Sequence, residues 1–118
     1  KNKPPGSLIL VTDAMSVDGT DIERFAFFDR EIIRTGDKLN STTGELAGSA
    51  LDMATAIRNT VTHLGLSLDE ALRMASLYPA KYLGLDSIHG QLQPGARADF
   101  IALNDKLEVT RTWVAGKE

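Results

Sequence analysis

Leu8-Ile9-Leu10-Val11 follows a Pro4-Pro5-Gly6 breaker and stays apolar until Thr12-Asp13, where the chain turns polar. Four consecutive apolar residues leave no polar face, the pattern of a short strand buried on both sides, as in a parallel sheet. Such a strand needs a neighbour on each side, and nothing later in the chain offers it an obvious parallel partner. With 118 residues, 42% of them hydrophobic, the chain is one modest domain's worth. A polypeptide of this size hides roughly 60–70% of its unfolded surface, so disorder is excluded as a global description.

The remaining elements follow from turn and cap signals. Phe25-Ala26-Phe27-Phe28 and Glu31-Ile32-Ile33-Arg34 flank Asp29-Arg30, which predicts a β-hairpin, although Asp-Arg is a poor type I′ turn and the loop can be longer. Gly36 to Glu45, with Asn40-Ser41-Thr42-Thr43-Gly44 inside it, is turn chemistry throughout and predicts a surface loop. Ser49 as N-cap, Asp52 three residues on, then Leu51, Ala54, Ile57, Val61 and Leu64 at helical spacing with Gly65 as the stop predict a first helix. Ser67-Leu68-Asp69-Glu70 is a capping box opening a second, with Leu68, Ala71, Leu72 and Ala75 on one face. Pro79 suits the first position of a short third helix through Leu83, closing at Gly84, with Tyr78 pushed away from helical backbone. After Gly90 the period changes to two. Ala98 to Leu103, with Phe100, Ile101 and Leu103 buried, and Glu108 to Val114, with Val109, Arg111 and Trp113 on one side, predict an antiparallel hairpin turning at Asn104-Asp105-Lys106.

Charge and composition remove whole classes of function. Thirteen Lys and Arg stand against 16 Asp and Glu, and the mixture leaves no phosphate-backbone footprint, so nucleic-acid binding is not expected. No apolar stretch approaches the ~20 residues of a membrane span, and no signal peptide follows Lys1; a soluble, unexported, cytoplasmic protein is expected. Zero cysteines exclude disulfides, thiolate nucleophiles and Cys-type zinc sites. His63 and His89, the two histidines, are too far apart in sequence for the local pairs of most catalytic metal sites.

Two places could carry chemistry. Asp13 is a carboxylate just past the carboxyl end of a buried strand, where barrel and open-sheet enzymes place catalytic groups; it can equally be a turn or cap residue. Gly44-Glu45-Leu46-Ala47-Gly48-Ser49 offers glycines for close backbone approach and a helix N-terminus beyond, or it is an ordinary capped helix entrance. Asp18, Asp21 and Glu23 lack the spacing of a calcium loop and read as a solvated loop. His63 and His89 read as surface or packing residues, and Met74, Tyr78 and Tyr82 as core. Arg58 and Arg73 read as solvated, or paired with Asp52, Asp69 or Glu70.

Three segments together resemble a known family. Leu8-Ile9-Leu10-Val11-Thr12-Asp13-Ala14-Met15, Leu46-Ala47-Gly48-Ser49-Ala50-Leu51-Asp52-Met53 and Pro94-Gly95-Ala96-Arg97-Ala98-Asp99-Phe100-Ile101-Ala102-Leu103 are similar, in that order, to the C-terminal third of the N-acetylglucosamine-6-phosphate deacetylases. Ala71-Leu72-Arg73-Met74-Ala75-Ser76-Leu77-Tyr78-Pro79-Ala80 looks like the same family, so nearly the whole chain is covered. The Pro-Gly-x-x-Ala-Asp tail is shared by the amidohydrolase superfamily at large; Val-Thr-Asp-Ala-Met with Leu-Ala-Gly-Ser is narrower.

The resemblance implies an α/β fold: the C-terminal fragment of a metal-dependent (β/α)₈ TIM-barrel hydrolase, its last strand and helices, plus part of a small β-sandwich domain. Residues 1–92 would belong to the barrel, with a β-hairpin insertion near 25–35, and residues 93–118 to the β domain. A complete barrel takes about 250 residues, so such motifs make this chain part of something larger. The implied reaction removes acetate from N-acetylglucosamine 6-phosphate. Asp13 is implied as the general acid/base that takes a proton from a metal-activated water and delivers it to the departing amine, and Leu46, Ala47 and Gly48 as contacts to the sugar. A divalent metal ion is implied as cofactor of the parent enzyme, its Glu and His ligands on segments preceding this chain, with no metal ligand here. The implied partners are the sugar phosphate, the remainder of the parent chain and, for the full-length protein, further copies in a homo-oligomer. The fragment would be inactive alone. Two other readings stand beside this one: an autonomous, non-catalytic α+β interaction or dimerisation module, and a fragment of another amidohydrolase.

Overall fold

A computed structural model describes residues 3–118. Its elements are β1 (Arg24–Phe27), β2 (Arg30–Thr35), β3 (Lys38–Ser41), β4 (Leu46–Ser49), α1 (Met53–Leu64), α2 (Leu68–Ala75), α3 (Leu77–Tyr82), β5 (Phe100–Leu103) and β6 (Val109–Trp113). The fold is mixed α/β and divides into two compact units, Val11–Met53 and the remainder of the chain.

The Val11–Met53 unit is an antiparallel meander in the order β1-β2-β3-β4. The predicted hairpin is present with its turn one residue earlier: Phe27 pairs with Arg30, so Phe28-Asp29 is the two-residue turn. Phe28 takes φ 55°, the positive value that a type II′ turn requires at its first central position. β3 and β4 lie where turn chemistry predicts a loop from Gly36 to Glu45 and a capped helix entrance after it. Pairing overrides that local preference, because β3 laid against β2 turns Leu39 and Ser41 inward. The buried Ser41 hydroxyl is satisfied by Thr43 Oγ1 at 2.7 Å and by the Glu45 N–H at 3.2 Å, as a buried polar group must be. Val17, Ile32, Leu39 and Ala50 form the core, with Met15, Phe25 and Ala47 packed on it.

α1 begins at Met53, not at Ser49, which ends β4 instead, and from Ala54 onward it belongs to the other unit. It buries Ala56, Ile57 and Thr60. Arg58 is half-buried, not solvated, and donates to the Leu107 carbonyl at 2.9 Å and to Thr55. α2 is capped as predicted, Ser67 Oγ accepting the Glu70 N–H at 3.3 Å, and it buries Ala71 and Met74. α3 starts at Leu77, so Tyr78 is helical and Pro79 is the third residue of the helix. The first turn needs no proline N–H, and the Tyr78 hydroxyl is held by Glu70 Oε2 at 2.8 Å. Tyr82, expected in the core, is 82% exposed. β5 and β6 pair antiparallel as predicted, with Phe100 opposite Trp113 and their rings stacked at 4.6 Å. Ile101 faces outward, against expectation.

The predicted strand at Leu8–Val11 does not form. Leu10 N–H donates to the Met74 carbonyl at 2.9 Å, but residues 8–11 join no sheet, and Leu8, Ile9 and Val11 are 44%, 38% and 74% exposed. A strand is a pairing state, and no strand among the described residues lies beside this segment. No helix among them is long and apolar enough to cross a membrane.

The Glu70 carboxylate accepts from Tyr78 and from Arg73 at 3.2 Å. The Tyr78 hydrogen bond, opposed by burial and aided by Arg73, holds its pKa below the ordinary 4.5. A lowered folded-state pKa contributes stability that is complete above the unfolded value and lost as pH falls through the folded one. Glu70→Gln is therefore expected to destabilise at neutral pH, by a difference that shrinks below pH 4.5. Urea midpoints of variant and parent across that range check it.

Candidate functional site

Ser49, at the end of β4, anchors the segment that carries Asp13. Its N–H donates to the Asp13 carbonyl and its carbonyl accepts the Met15 N–H, both at 2.9 Å. Its Oγ donates to the Thr12 carbonyl at 2.5 Å and accepts the Leu51 N–H at 3.2 Å. Residues 12–15 thus run alongside the end of β4, with a single parallel bridge between Ala14 and Ser49. Within that stretch Asp13 has φ 53°, a left-handed conformation that Asp and Asn tolerate better than other side-chain-bearing residues. Its carboxylate is exposed and meets no hydrogen-bond or ion-pair partner among the described residues.

Gly48 lies against the same segment. Its φ is 138°, and a Cβ there would stand 2.9 Å from Met15 Cγ and 3.0 Å from the Asp13 carbonyl oxygen. Leu39 pairs with Gly48 but Asn40 with Leu46, so Ala47 is the extra residue of a β-bulge. Bulges re-aim a strand locally and recur beside active sites. Leu46 is 71% exposed, whereas Ala47 packs on the core. Beside them a cleft of about 310 Å³ is walled by Phe27, Phe28 and the Arg30–Glu45 ion pair at 2.6 Å.

The structure therefore brings the Asp13 backbone against Gly48 and leaves the Asp13 and Leu46 side chains exposed. An exposed carboxylate without a partner is a group that can accept or donate a proton at a neighbouring molecule. Nothing local in the sequence signals the Ser49 contacts to residues 12–15, since a serine shortly before a helical pattern signals a cap.

The other candidates stay apart. Asp21 and Glu23 are exposed and Asp18 half-buried, and His63 is exposed. His89 Nδ1 lies 3.6 Å from Asp99 Oδ2, while Asp99 also takes Arg97 at 3.3 Å and the Ala115 N–H at 2.8 Å. Asp99 thereby ties the start of β5 to the end of β6. Among the described residues no three His, Cys, Asp or Glu side chains converge to hold a metal ion. The divalent ion implied by the resemblance does not fit the described residues.

The chain is 43% identical over 110 residues to the N-acetylgalactosamine-6-phosphate deacetylase of Shewanella sp. (strain ANA-3), a match covering 93% of this chain and 28% of that protein. It is 38% identical over 114 residues to the N-acetylglucosamine-6-phosphate deacetylase of Bos taurus, covering 96% of this chain and 28% of that one. A crystal structure of N-acetylglucosamine-6-phosphate deacetylase from Pasteurella multocida matches with a TM-score of 0.90 at 35% identity, over 95% of this chain and 30% of that one. The chain thus spans less than a third of the length of these relatives. Residues 8–118 match the Amidohydrolase family, and a match of that extent makes the chain a member of it.

Proposed function

We propose that this chain is the C-terminal segment of a deacetylase that hydrolyses N-acetylglucosamine 6-phosphate to glucosamine 6-phosphate and acetate. The observation that carries the reading is the exposed Asp13 carboxylate, fixed at φ 53° against the Gly48 bulge. Asp13 takes a proton from the water that attacks the acetyl carbon. It returns that proton to nitrogen as the C–N bond breaks, so that one carboxylate serves as base and then as acid. Leu46, Ala47 and Gly48 contact the sugar, the glycine allowing backbone to approach it closely. Residues 1–92 complete a (β/α)₈ barrel and residues 93–118 a small β domain. The ligands of the family's divalent ion are assigned to the part of the enzyme outside this segment.

A second reading keeps the chemistry and changes the sugar, on the observation that identity to the Shewanella N-acetylgalactosamine-6-phosphate deacetylase is 43% against 38% for the bovine N-acetylglucosamine-6-phosphate enzyme. Acetate release by the full-length enzyme is the test, with both N-acetylhexosamine 6-phosphates and both unphosphorylated sugars as substrates. The first proposal expects fastest turnover of N-acetylglucosamine 6-phosphate; faster turnover of the galactosamine epimer selects the second, and no release from either sinks both. The isolated 118-residue chain is expected to release no acetate whichever divalent ion is supplied, and to exchange amide hydrogens rapidly at Leu8–Val11. Acetate release by it, or slow exchange there in a monomer, would overturn the fragment reading.

A further inference from the structure

We propose that Ser49 is the positioning residue for Asp13, an inference that rests on the reading of Asp13 as acid/base. An aspartate at φ 53° occupies a conformation that its neighbours must hold in place. Ser49 supplies that hold through one backbone N–H, one backbone carbonyl and one hydroxyl, directed to Asp13, Met15 and Thr12 respectively. The two backbone bonds are available to any residue at position 49 except proline, which has no N–H. The hydroxyl bond to Thr12, at 2.5 Å, is what serine specifically adds, and it fixes the carbonyl of the peptide bond leading into Asp13. That peptide plane sets the direction in which the carboxylate leaves the backbone. Ser49 therefore reaches the reaction through Asp13 without touching substrate.

The experiment uses four variants of the full-length enzyme: Ser49→Ala, Ser49→Thr, Asp13→Asn and the Asp13→Asn/Ser49→Ala double variant. Misplacing a reacting group by about 1 Å can cost on the order of 10²-fold in rate. Ser49→Ala is accordingly expected to lower kcat by about 10- to 100-fold with KM little changed. Ser49→Thr, which keeps the hydroxyl, is expected to recover most of that loss. The double variant is expected to turn over no more slowly than Asp13→Asn, because a group acting only through the carboxylate has nothing left to position. A general loss of structure would not produce that non-additivity. Near-normal kcat in Ser49→Ala, or losses that multiply in the double variant, would overturn the proposal while leaving Asp13's role intact. Near-normal turnover of Asp13→Asn would instead overturn the acid/base reading itself. Should Ser49→Ala fail to fold, Ser49→Cys, with a weaker donor of similar shape, is expected to give an intermediate loss of kcat, and unchanged kcat in that variant would overturn the proposal.

Discussion

Asp13→Asn in the full-length enzyme is expected to lower kcat by about 10²- to 10⁴-fold, the usual contribution of general acid/base catalysis. Two features make this substitution a clean test. Asparagine tolerates the left-handed backbone about as well as aspartate does, so the φ of 53° is not put under new strain. The carboxylate also has no hydrogen-bond or ion-pair partner among the described residues, so its loss breaks no contact there. Thermal unfolding and KM should stay close to those of the parent while steady-state acetate release collapses. Asp13→Ala would be a poorer experiment, because alanine adds backbone strain to the loss of the carboxylate.

Gly48→Ala is expected to damage both stability and turnover. A non-glycine residue forced into a sparsely populated backbone region costs about 1–3 kcal/mol, and the φ of 138° is such a region for alanine. Overpacking adds about 1–3 kcal/mol, since the new Cβ would sit 2.9 Å from Met15 Cγ and 3.0 Å from the Asp13 carbonyl oxygen. Met15 can swing aside; the Asp13 carbonyl cannot move without carrying the carboxylate with it. Turnover should therefore fall on the order of 10²-fold, with KM raised as well if the sugar rests on Gly48. Gly36→Ala is the control. Gly36 has φ 62° with nothing within 4 Å of its added Cβ, so it incurs strain alone and should leave turnover unchanged. Denaturant midpoints and kcat for the two variants separate the contributions.

The parts of the fold legible in the sequence are those whose signals are local. The Ser67 cap, the Gly84 stop and the turn around Asn104 all use side chains or φ values that act within a few residues, and each is where its residues predict. β3 was not legible because Lys38–Ser41 has a single large apolar residue, Leu39, which becomes fully buried once β2 and β4 flank it. The opposite failure occurred at Leu8–Val11. Its composition is that of a buried strand, yet burial depends on strand partners that the segment does not meet among the described residues. At the site, Asp13 and Gly48 stood out by residue type, whereas Ser49 did not. Its hydroxyl acts on residues 37 positions away, a distance over which no local pattern carries information.

The stacked pair across the β5–β6 hairpin has an optical consequence. Trp113 is the chain's one tryptophan, and its ring lies nearly parallel to that of Phe100, at an interplanar angle of 17°. Indole emission moves to longer wavelength as the ring becomes hydrated, so a red shift reports Trp113 leaving Phe100. The Val11–Met53 unit holds no tryptophan and is silent in that channel. In the isolated chain a single fluorophore thus records the melting of the hairpin, while the loss of the Asp13 scaffold has to be followed by another probe.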